Sequence, residues 1–215
     1  MAESDAPRVL IDDPAPGVRR FTLNRPDQRN SLTRAMRTEI GELVGAFNAD
    51  PDQYVAIFTG AGDKAFSAGA DLKEMATEVS VGDRLPVSQW PDIGGISDSE
   101  KPIIAAVNGL AVAGGCELAL SSDIRIASTS AWFGLFEVKV GVIAGVGAQV
   151  LPRLLPLGVA MDMLLAAGRL SGEDAHRLGL VQQLVEPEKL MEAALQKAEA
   201  IAAASPTAVW GTKRI

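Results

Sequence analysis

Short apolar runs alternate with turns rich in glycine and proline along much of this chain. Val9 to Ile11 and Val18 to Leu23 are typical of two strands, and the segment Asp12 to Gly17 between them is typical of a hairpin turn. Tyr54 to Thr59 and Ile103 to Val107 are short, continuous apolar runs of the kind found in buried strands. The pattern therefore predicts a sheet that contains several buried strands.

One helix is predicted between the second and third strands. Its apolar positions recur with the helical period and are Met36, Ile40, Leu43, Val44 and Phe47. Ser31 or Thr33 can cap its N-terminus, and Asp50-Pro51 ends it.

Two segments share one order of strand, Ala-Gly turn and helix start. The third strand leads to the turn Ser67 to Ala70 and to a helix expected from Asp71 onward. The apolar run that ends at Val107 leads to the turn Val112 to Gly115 and to a helix expected from Cys116 onward. The repetition predicts a sheet with helix N-termini along one edge.

The remaining segments extend this α/β pattern. A third turn-to-helix unit is expected to begin at Val140, while Asp123 to Ala127 and Ala131 to Phe133 are typical of strands. The polar segment 79–100 predicts a surface loop or short helices. After Pro152 we predict helices at Leu157 to Ala167, Gly172 to Leu178 and Pro187 to Ala204, with a short strand at Val181 to Val185. We therefore divide the chain into a core of residues 1–150 and a helical region of residues 151–215.

Composition narrows the possible partners. The chain has 215 residues, 47% hydrophobic and 22% charged, which is typical of a globular protein. Its net charge of -7 argues against binding to nucleic acid or to an anionic membrane surface. One cysteine excludes an internal disulfide and a cysteine-based metal cluster, and one histidine excludes a multi-histidine metal site. The sequence contains neither a secretory signal nor an apolar membrane span, so we expect a cytoplasmic protein.

Two glutamates are candidates for acid–base chemistry. Glu117 and Glu137 lie in apolar, glycine-flanked surroundings, where burial would raise the pKa of a carboxyl toward neutrality. The alternative is a solvent-facing glutamate in each case. For Glu137 that alternative is a surface position on a strand, because Lys139 follows it with the alternation of a strand.

The two Ala-Gly turns offer main-chain N–H groups outside regular structure. If the turns at Gly69-Ala70 and Gly114-Gly115 converge, their N–H groups would stabilise an oxyanion in acyl chemistry. The alternative is a pair of ordinary turns. The segment Gly60 to Ala65 also fits a dinucleotide-binding fingerprint, but a second turn follows where that motif requires a helix.

Other reactive side chains give weaker signals. His176 lies in a pattern typical of a helix surface, and we expect it to be solvated. Cys116 is expected to be a small buried residue at a helix start. No serine and histidine form a nucleophile motif.

Taken in order, several motifs resemble the enoyl-CoA hydratase/isomerase (crotonase) superfamily. These motifs are Asn24-Arg25-Pro26, Asn30-Ser31-Leu32, Ala65 to Glu74, Lys101 to Gly109, Gly114 to Leu118 and Phe133 to Gly141. The resemblance implies a crotonase-like spiral of ββα units with a C-terminal helical annex. It also implies assembly into homotrimers or dimers of trimers.

The resemblance further implies an acyl-CoA thioester substrate and no separate cofactor or metal, since coenzyme A is part of the substrate. The N–H groups of Ala70 and Gly114 would hold the thioester oxygen. Glu117 would activate water and Glu137 would deliver a proton to C2, as in a hydratase of the β-oxidation type. The residues at the family's coenzyme A and substrate positions are Arg29, Ser31, Ser67, Gly69, Asp71, Leu72, Lys73 and Phe136.

This sequence also departs from the family pattern. Phe136 and Ala144 stand where hydratases commonly have proline, and the large Phe136 side chain would reshape the acyl pocket. An enoyl-CoA isomerase and a non-catalytic acyl-CoA-binding protein therefore remain alternatives. The family usually continues with further helices after the position of Ile215, so we expect the helical region to be incomplete.

Overall fold

The computed structural model describes residues 7–71, 73–74 and 95–215. The strands in these ranges are β1 Val9–Ala15, β2 Val18–Leu23, β3 Val55–Gly60, β4 Ala65–Ser67, β5 Ile103–Val107, β6 Leu110–Val112, β7 Ile124–Ser128, β8 Trp132–Gly134, β9 Arg169–Ser171 and β10 Gln183–Val185. The α-helices are α1 Arg34–Ala49, α2 Gly114–Ser121, α3 Gly145–Leu154, α4 Leu157–Leu165, α5 Gly172–Arg177, α6 Leu190–Ala202 and α7 Pro206–Arg214.

The strands form two sheets. The large sheet has the order β1-β2-β3-β5-β7-β10, and the small sheet has the order β4-β6-β8-β9. Apart from the antiparallel pairs β1–β2 and β8–β9, the paired strands are parallel. Successive segments give one strand to each sheet and then a helix, as in β5-β6-α2 and β7-β8-α3. This is the spiral of ββα units that the resemblance implies.

Both faces of the large sheet are covered, which explains its continuous apolar runs. All six residues of β3 are buried, as expected for an interior parallel strand. On one face, Phe21, Phe58 and Phe47 of α1 pack together in the larger core cluster. On the other face, α6 packs through Leu190, Ala194 and Ala198.

The long predicted elements agree with the structure. The hairpin of β1 and β2 is present, and the Thr33 side chain accepts a hydrogen bond from the Met36 N–H at 3.2 Å to cap α1. Residues 73 and 74 are helical, whereas residues 79–94 of the predicted surface segment lie outside the described residues. Ile96–Asp98 of that segment form a 3-10 helix.

The structure also contains elements that the sequence patterns did not predict. The three-residue strands β4, β6 and β9 were missed. Glu137 is not on a strand, because Glu137–Val140 form a 3-10 helix. Strands β9 and β10 of the predicted helical region pair with β8 and β7, and the division at residue 150 stays a prediction. No described helix is both long enough and apolar enough to cross a bilayer.

Candidate active site

The turns that follow β4 and β6 are in contact. Gly69 has a φ of +81°, and a Cβ atom added there would lie 2.8 Å from the main-chain nitrogen of Gly114. A Cβ atom added at Gly114 would lie 3.6 Å from the main-chain nitrogen of Ala70. Across the described ranges, neither Ala70 nor Gly114 donates its N–H to a main-chain acceptor. Two uncommitted donors therefore lie side by side, as an oxyanion site requires.

Close backbone contacts hold these turns together. A Cβ atom added at Gly115 would lie 2.2 Å from the main-chain oxygen of Ser67, so only glycine fits without displacement of that strand. The hydroxyl of Ser67 donates to the main-chain oxygen of Asn30 at 2.8 Å and accepts the Gly69 N–H at 3.1 Å. Ser67 is fully buried and thus fixes the turn from inside.

Ala113, which precedes Gly114, has strained backbone angles. Its φ of 50° and ψ of -127° lie in a region that favours glycine, at a cost on the order of 1–3 kcal/mol. Its N–H donates to the main-chain oxygen of Gly134 at 2.9 Å, which connects the Gly114 turn to the end of β8.

Glu117 lies in the first turn of α2 and is only 9% exposed. Its Oε1 accepts the N–H of Gly147, at the start of α3, at 3.1 Å. Burial raises the pKa of the Glu117 carboxyl, while hydrogen bonds from the N–H groups of Gly147 and Val146 act in the opposite direction. The carboxylate is thus held at a helix N-terminus, where a negative charge is favourable.

Glu137 is half-buried at the start of the 3-10 helix. Burial raises the pKa of its carboxyl to about 7, with a further increase from the negative charge of Glu117; main-chain hydrogen bonds at Glu137 and Phe136 lower it. Its Oε2 is buried and has no hydrogen-bond partner in the part of the chain that the structure describes. The two predicted glutamates therefore belong to one electrostatic unit.

Ser31 and Asp71, two predicted coenzyme A contacts, form a network with Arg25. The Arg25 Nη1 donates to the main-chain oxygen of Ser31 at 2.8 Å and to Asp71 Oδ2 at 3.0 Å. Burial would raise the pKa of Asp71, but hydrogen bonds from Arg25 and Ser31 lower it below its ordinary value. Arg25 belongs to the Asn24-Arg25-Pro26 motif, but this role of its side chain was not predicted from the sequence.

The other predicted coenzyme A positions lie around the same turn. Arg29 is exposed, and its main-chain oxygen accepts the Ala68 N–H at 2.9 Å. Lys73 is exposed, and its N–H donates to Asp71 Oδ1 at 3.1 Å. Leu72 lies outside the described residues.

The Phe136 ring lies over the end of β8. A Cβ atom added at Gly134 would lie 3.1 Å from the Phe136 Cζ, so the ring covers that glycine. The ring centroid is 6.1 Å from that of Trp132, and the Arg169 guanidinium carbon lies 5.8 Å from the Phe136 centroid. Sequence reasoning found Phe136 but missed Trp132 and Arg169.

His176 and Cys116, which were not predicted to be catalytic, lie in the environments expected from the sequence. His176 is exposed, with its Nδ1 3.0 Å from the main-chain oxygen of Val181. Cys116 is fully buried, which raises the pKa of its thiol. In the ranges that the structure describes, no three His, Cys, Asp or Glu side chains are grouped to hold a metal ion.

Comparison with known proteins agrees with this geometry. Residues 14–215 match the family model described as enoyl-CoA hydratase/isomerase. The chain belongs to the enoyl-CoA hydratase/isomerase family. A family member from Thauera aromatica, an (E)-benzylidenesuccinyl-CoA hydratase, is 45% identical over 90% of this chain and 76% of its own length. A short-chain-enoyl-CoA hydratase from Clostridium acetobutylicum is 40% identical over 87% of this chain and 73% of its own.

The fold of the present chain also matches solved structures. The crystal structure of the enoyl-CoA hydratase from Bacillus anthracis superposes with a TM-score of 0.87. It is 37% identical and the match covers 97% of this chain and 81% of the other. The crotonase fold class is therefore confirmed.

Proposed function

We propose that this protein is an enoyl-CoA hydratase that adds water across the C2–C3 double bond of a 2-enoyl-CoA thioester. Family membership supports acyl-CoA chemistry. The observation that carries the hydratase assignment is one buried and one half-buried glutamate with raised pKa values, together with two adjacent N–H groups that have no main-chain acceptor in the described residues. One carboxylate accepts main-chain hydrogen bonds, and the other has a pKa of about 7.

The first part of the reaction is polarisation of the thioester. Its oxygen would accept the N–H groups of Ala70 and Gly114, which have no competing main-chain acceptor in the described residues. Negative charge that develops on this oxygen as water attacks C3 is stabilised by donors already in place. Removal of one such donor typically costs about 100- to 1000-fold in rate.

The glutamates divide the proton transfers. Glu117, whose anion is stabilised by Gly147 and Val146, accepts a proton from the attacking water, and hydroxide bonds to C3. Glu137, protonated below about pH 7, donates its proton to C2. Exchange with solvent then restores the proton to Glu137 and the charge to Glu117.

The coenzyme A part of the substrate lies beside the first turn in this proposal. Exposed Arg29 and Lys73 supply positive charge to its phosphates. Ser31, Ser67, Gly69 and Asp71 act by shaping the turn, since the polar groups of Ser67 and Asp71 are bonded within the protein. No separate cofactor enters this reaction.

Substitution of either glutamate tests the assignment. Glu117→Gln and Glu137→Gln should each lower the rate of crotonyl-CoA hydration by about 100- to 10000-fold, because each removes one proton transfer. Binding of butyryl-CoA, measured by calorimetry, should persist. Glu199→Gln, which removes an exposed carboxyl on α6, is the matched control. Unchanged turnover in both glutamate variants would contradict the proposal.

A parallel assay separates hydration from isomerisation. Loss of the conjugated thioester absorbance with a 2-enoyl ester reports hydration, whereas its appearance with a 3-enoyl ester reports isomerisation. A protein that binds both esters and turns over neither would be the non-catalytic alternative.

Assembly into a homotrimer or a dimer of trimers is also a proposal. Large apolar side chains are exposed at Val140, Ile143, Leu157 and Leu165, each at 60% or more. Their burial between subunits would remove apolar surface from water. Light scattering coupled to size-exclusion chromatography measures the mass directly, and a monomer would contradict this proposal. A cytoplasmic location stays a prediction.

A further inference from the structure

One edge of the small sheet gathers the parts of the proposed active site. Ala70 follows β4, Gly114 follows β6 and Glu137 follows β8, and these three strands are parallel. Strand β9 is antiparallel and begins at Arg169, which pairs with Gly134 at the end of β8. Arg169 therefore lies at the same edge of the sheet as the other three residues.

The strand order β4-β6-β8-β9 separates the two ends of a bound thioester. Its oxygen lies between the ends of β4 and β6, next to Ala70 and Gly114. The main chain of exposed Arg29 lies on the β4 side, because its oxygen accepts the Ala68 N–H. Glu137 is on the β8 side. In the proposed reaction its carboxyl donates a proton to C2 of the acyl group, so the acyl group would extend toward β8 and β9.

Two cations lie on the aromatic rings at that end. The Arg169 guanidinium carbon is 4.4 Å from the Trp132 ring centroid, and the Lys139 Nζ is 5.2 Å from the Phe136 centroid. Trp132, Phe136, Lys139 and Arg169 form what we call the acyl-side cluster. Stacking on an aromatic face restricts each long side chain before any ligand binds, which reduces the entropy cost of binding.

These cations lack an acidic partner in the described ranges. Neither Arg169 nor Lys139 has a carboxylate oxygen within 4.0 Å there. The chain has 27 acidic against 20 basic residues, so acidic partners are in excess overall. Two like charges on one ring repel each other, and a bound anion would offset that repulsion.

We propose that Arg169 and Lys139, held against the rings of Trp132 and Phe136, bind a carboxylate carried by the acyl group of the substrate. This inference rests on the proposed hydratase function and names its substrate class, a 2-enoyl-CoA with a second, free carboxylate. The planar guanidinium of Arg169 matches a carboxylate in two hydrogen bonds, and the rings pack against the intervening carbon chain.

The test compares matched substrates. A series of 2-enoyl-CoA esters of increasing length with a terminal carboxylate is assayed against esters of the same length that end in a methyl group. For at least one length, kcat/KM should be about tenfold or more higher for the carboxylate ester. Arg169→Gln should bring this ratio close to one, and Arg169→Lys should keep part of it.

A control and a second variant keep the comparison interpretable. Lys197→Gln removes one exposed positive charge on α6, which packs on the large sheet, and should leave the ratio unchanged. If Arg169→Gln loses its circular dichroism spectrum, Lys139→Gln replaces it, since the Lys139 side chain is exposed and its Nζ lies over the Phe136 ring.

The outcomes separate this inference from the proposed function. Methyl-ended esters that are hydrated at all lengths, without preference for a carboxylate, overturn the inference and leave the hydratase standing. If no ester is hydrated, the proposed function fails. Calorimetry with glutaryl-CoA and butyryl-CoA then decides the subsite, and equal affinities overturn it.

Two other sources of the anion have their own signatures. If Arg169→Gln weakens the binding of free coenzyme A as much as that of glutaryl-CoA, the cations bind a coenzyme A phosphate and the inference is overturned. If the substitution instead changes the mass in light scattering, a subunit contact occupies the acyl-side cluster, which also overturns it.

Discussion

Glu117 and Glu137 show how surroundings change the proton affinity of one residue type. Burial raises the pKa of both carboxyls. Glu117 accepts the N–H of Gly147, which stabilises its anion, whereas the buried Oε2 of Glu137 has no partner in the described residues. The negative charge of Glu117 further favours a proton on Glu137. The pair is therefore suited to act as a base and an acid at the same pH.

The raised pKa of Glu137 has a cost in stability that depends on pH. The folded protein keeps a proton on Glu137 up to about pH 7, whereas an ordinary glutamate releases it near 4.5. Stability from this proton is fully present below about pH 4.5 and is lost as the pH rises through about 7. Glu137→Gln stays neutral, so relative to the wild type it should gain on the order of 1 kcal/mol between about pH 5 and pH 8, after allowance for partial exposure.

Urea unfolding at both pH values measures this difference. Glu199→Gln removes an exposed carboxyl and should show no comparable gain. If the free energy of unfolding of Glu137→Gln parallels that of the wild type at both pH values, the carboxyl is ionised in the folded protein and cannot serve as the acid.

At the scale of elements, the sequence predicted the strands and helices that have a clear local pattern of hydrophobic residues. Strands β3 and β5 were recognised because both of their faces are buried, which leaves a continuous apolar run. Helix α1 was recognised from its apolar stripe and its Thr33 cap. The three-residue strands β4, β6 and β9 were missed because so short a segment shows no period and is defined only by its partners.

Local sequence patterns also explain which parts of the site were predicted and which were missed. Ala70, Gly114 and Glu117 lie in turn and helix-start motifs that the sequence displays directly. Arg169 meets Phe136 only because β9 pairs with β8 in the small sheet. No pattern of neighbouring residues reports that pairing.

The contact between the two turns can be tested at Gly115. Gly115→Ala would place a methyl group 2.2 Å from the Ser67 main-chain oxygen, which belongs to β4 and cannot swing away as a side chain can. We expect a loss of about 1–3 kcal/mol in the free energy of unfolding. We also expect a fall in kcat for crotonyl-CoA, since the Ala70 and Gly114 N–H groups would separate.

Gly158→Ala is the matched control for that substitution. A Cβ atom added at Gly158 meets nothing within 4 Å, and the residue lies in helix α4. Alanine there should stabilise the helix by about 0.5–1 kcal/mol and leave kcat unchanged. Equal stability and equal kcat for Gly115→Ala and the wild type would show that the turns tolerate displacement.

At the scale of the whole molecule, Lys101 connects the first and last helices. It is only 3% exposed, and its Nζ donates to the main-chain oxygens of Phe47, Asp50 and Gln53 around the C-terminus of α1. The Nζ also lies 5.1 Å from the ring centroid of Trp210 in α7. Burial lowers the pKa of Lys101, so the charge is retained at a cost that these contacts must offset.

Side chains of helix α7 also bind residues at and around Lys101. The Lys213 Nζ donates to the main-chain oxygen of Lys101 at 3.0 Å and pairs with Asp123 at 2.7 Å. The Trp210 indole nitrogen donates to the main-chain oxygen of Tyr54 at 3.4 Å. Segments more than 100 residues apart in the chain therefore meet at Lys101, whose ammonium group lies over the Trp210 ring and whose main-chain oxygen accepts from Lys213.

Replacement of the Lys101 ammonium group by an apolar side chain tests whether this group stabilises the protein and holds α7 in place. Lys101→Met keeps an unbranched side chain, one heavy atom shorter than lysine, but removes the Nζ donor from the main-chain oxygens of Phe47, Asp50 and Gln53, so we expect a loss of about 3 kcal/mol in the free energy of unfolding. Lys197→Met on the exposed face of α6 should change stability by less than about 0.5 kcal/mol. Because α7 packs on Lys101, hydrogen exchange of α7 amides should also accelerate in the Lys101 variant alone. Equal exchange in both variants would mean that α7 is held without the buried lysine.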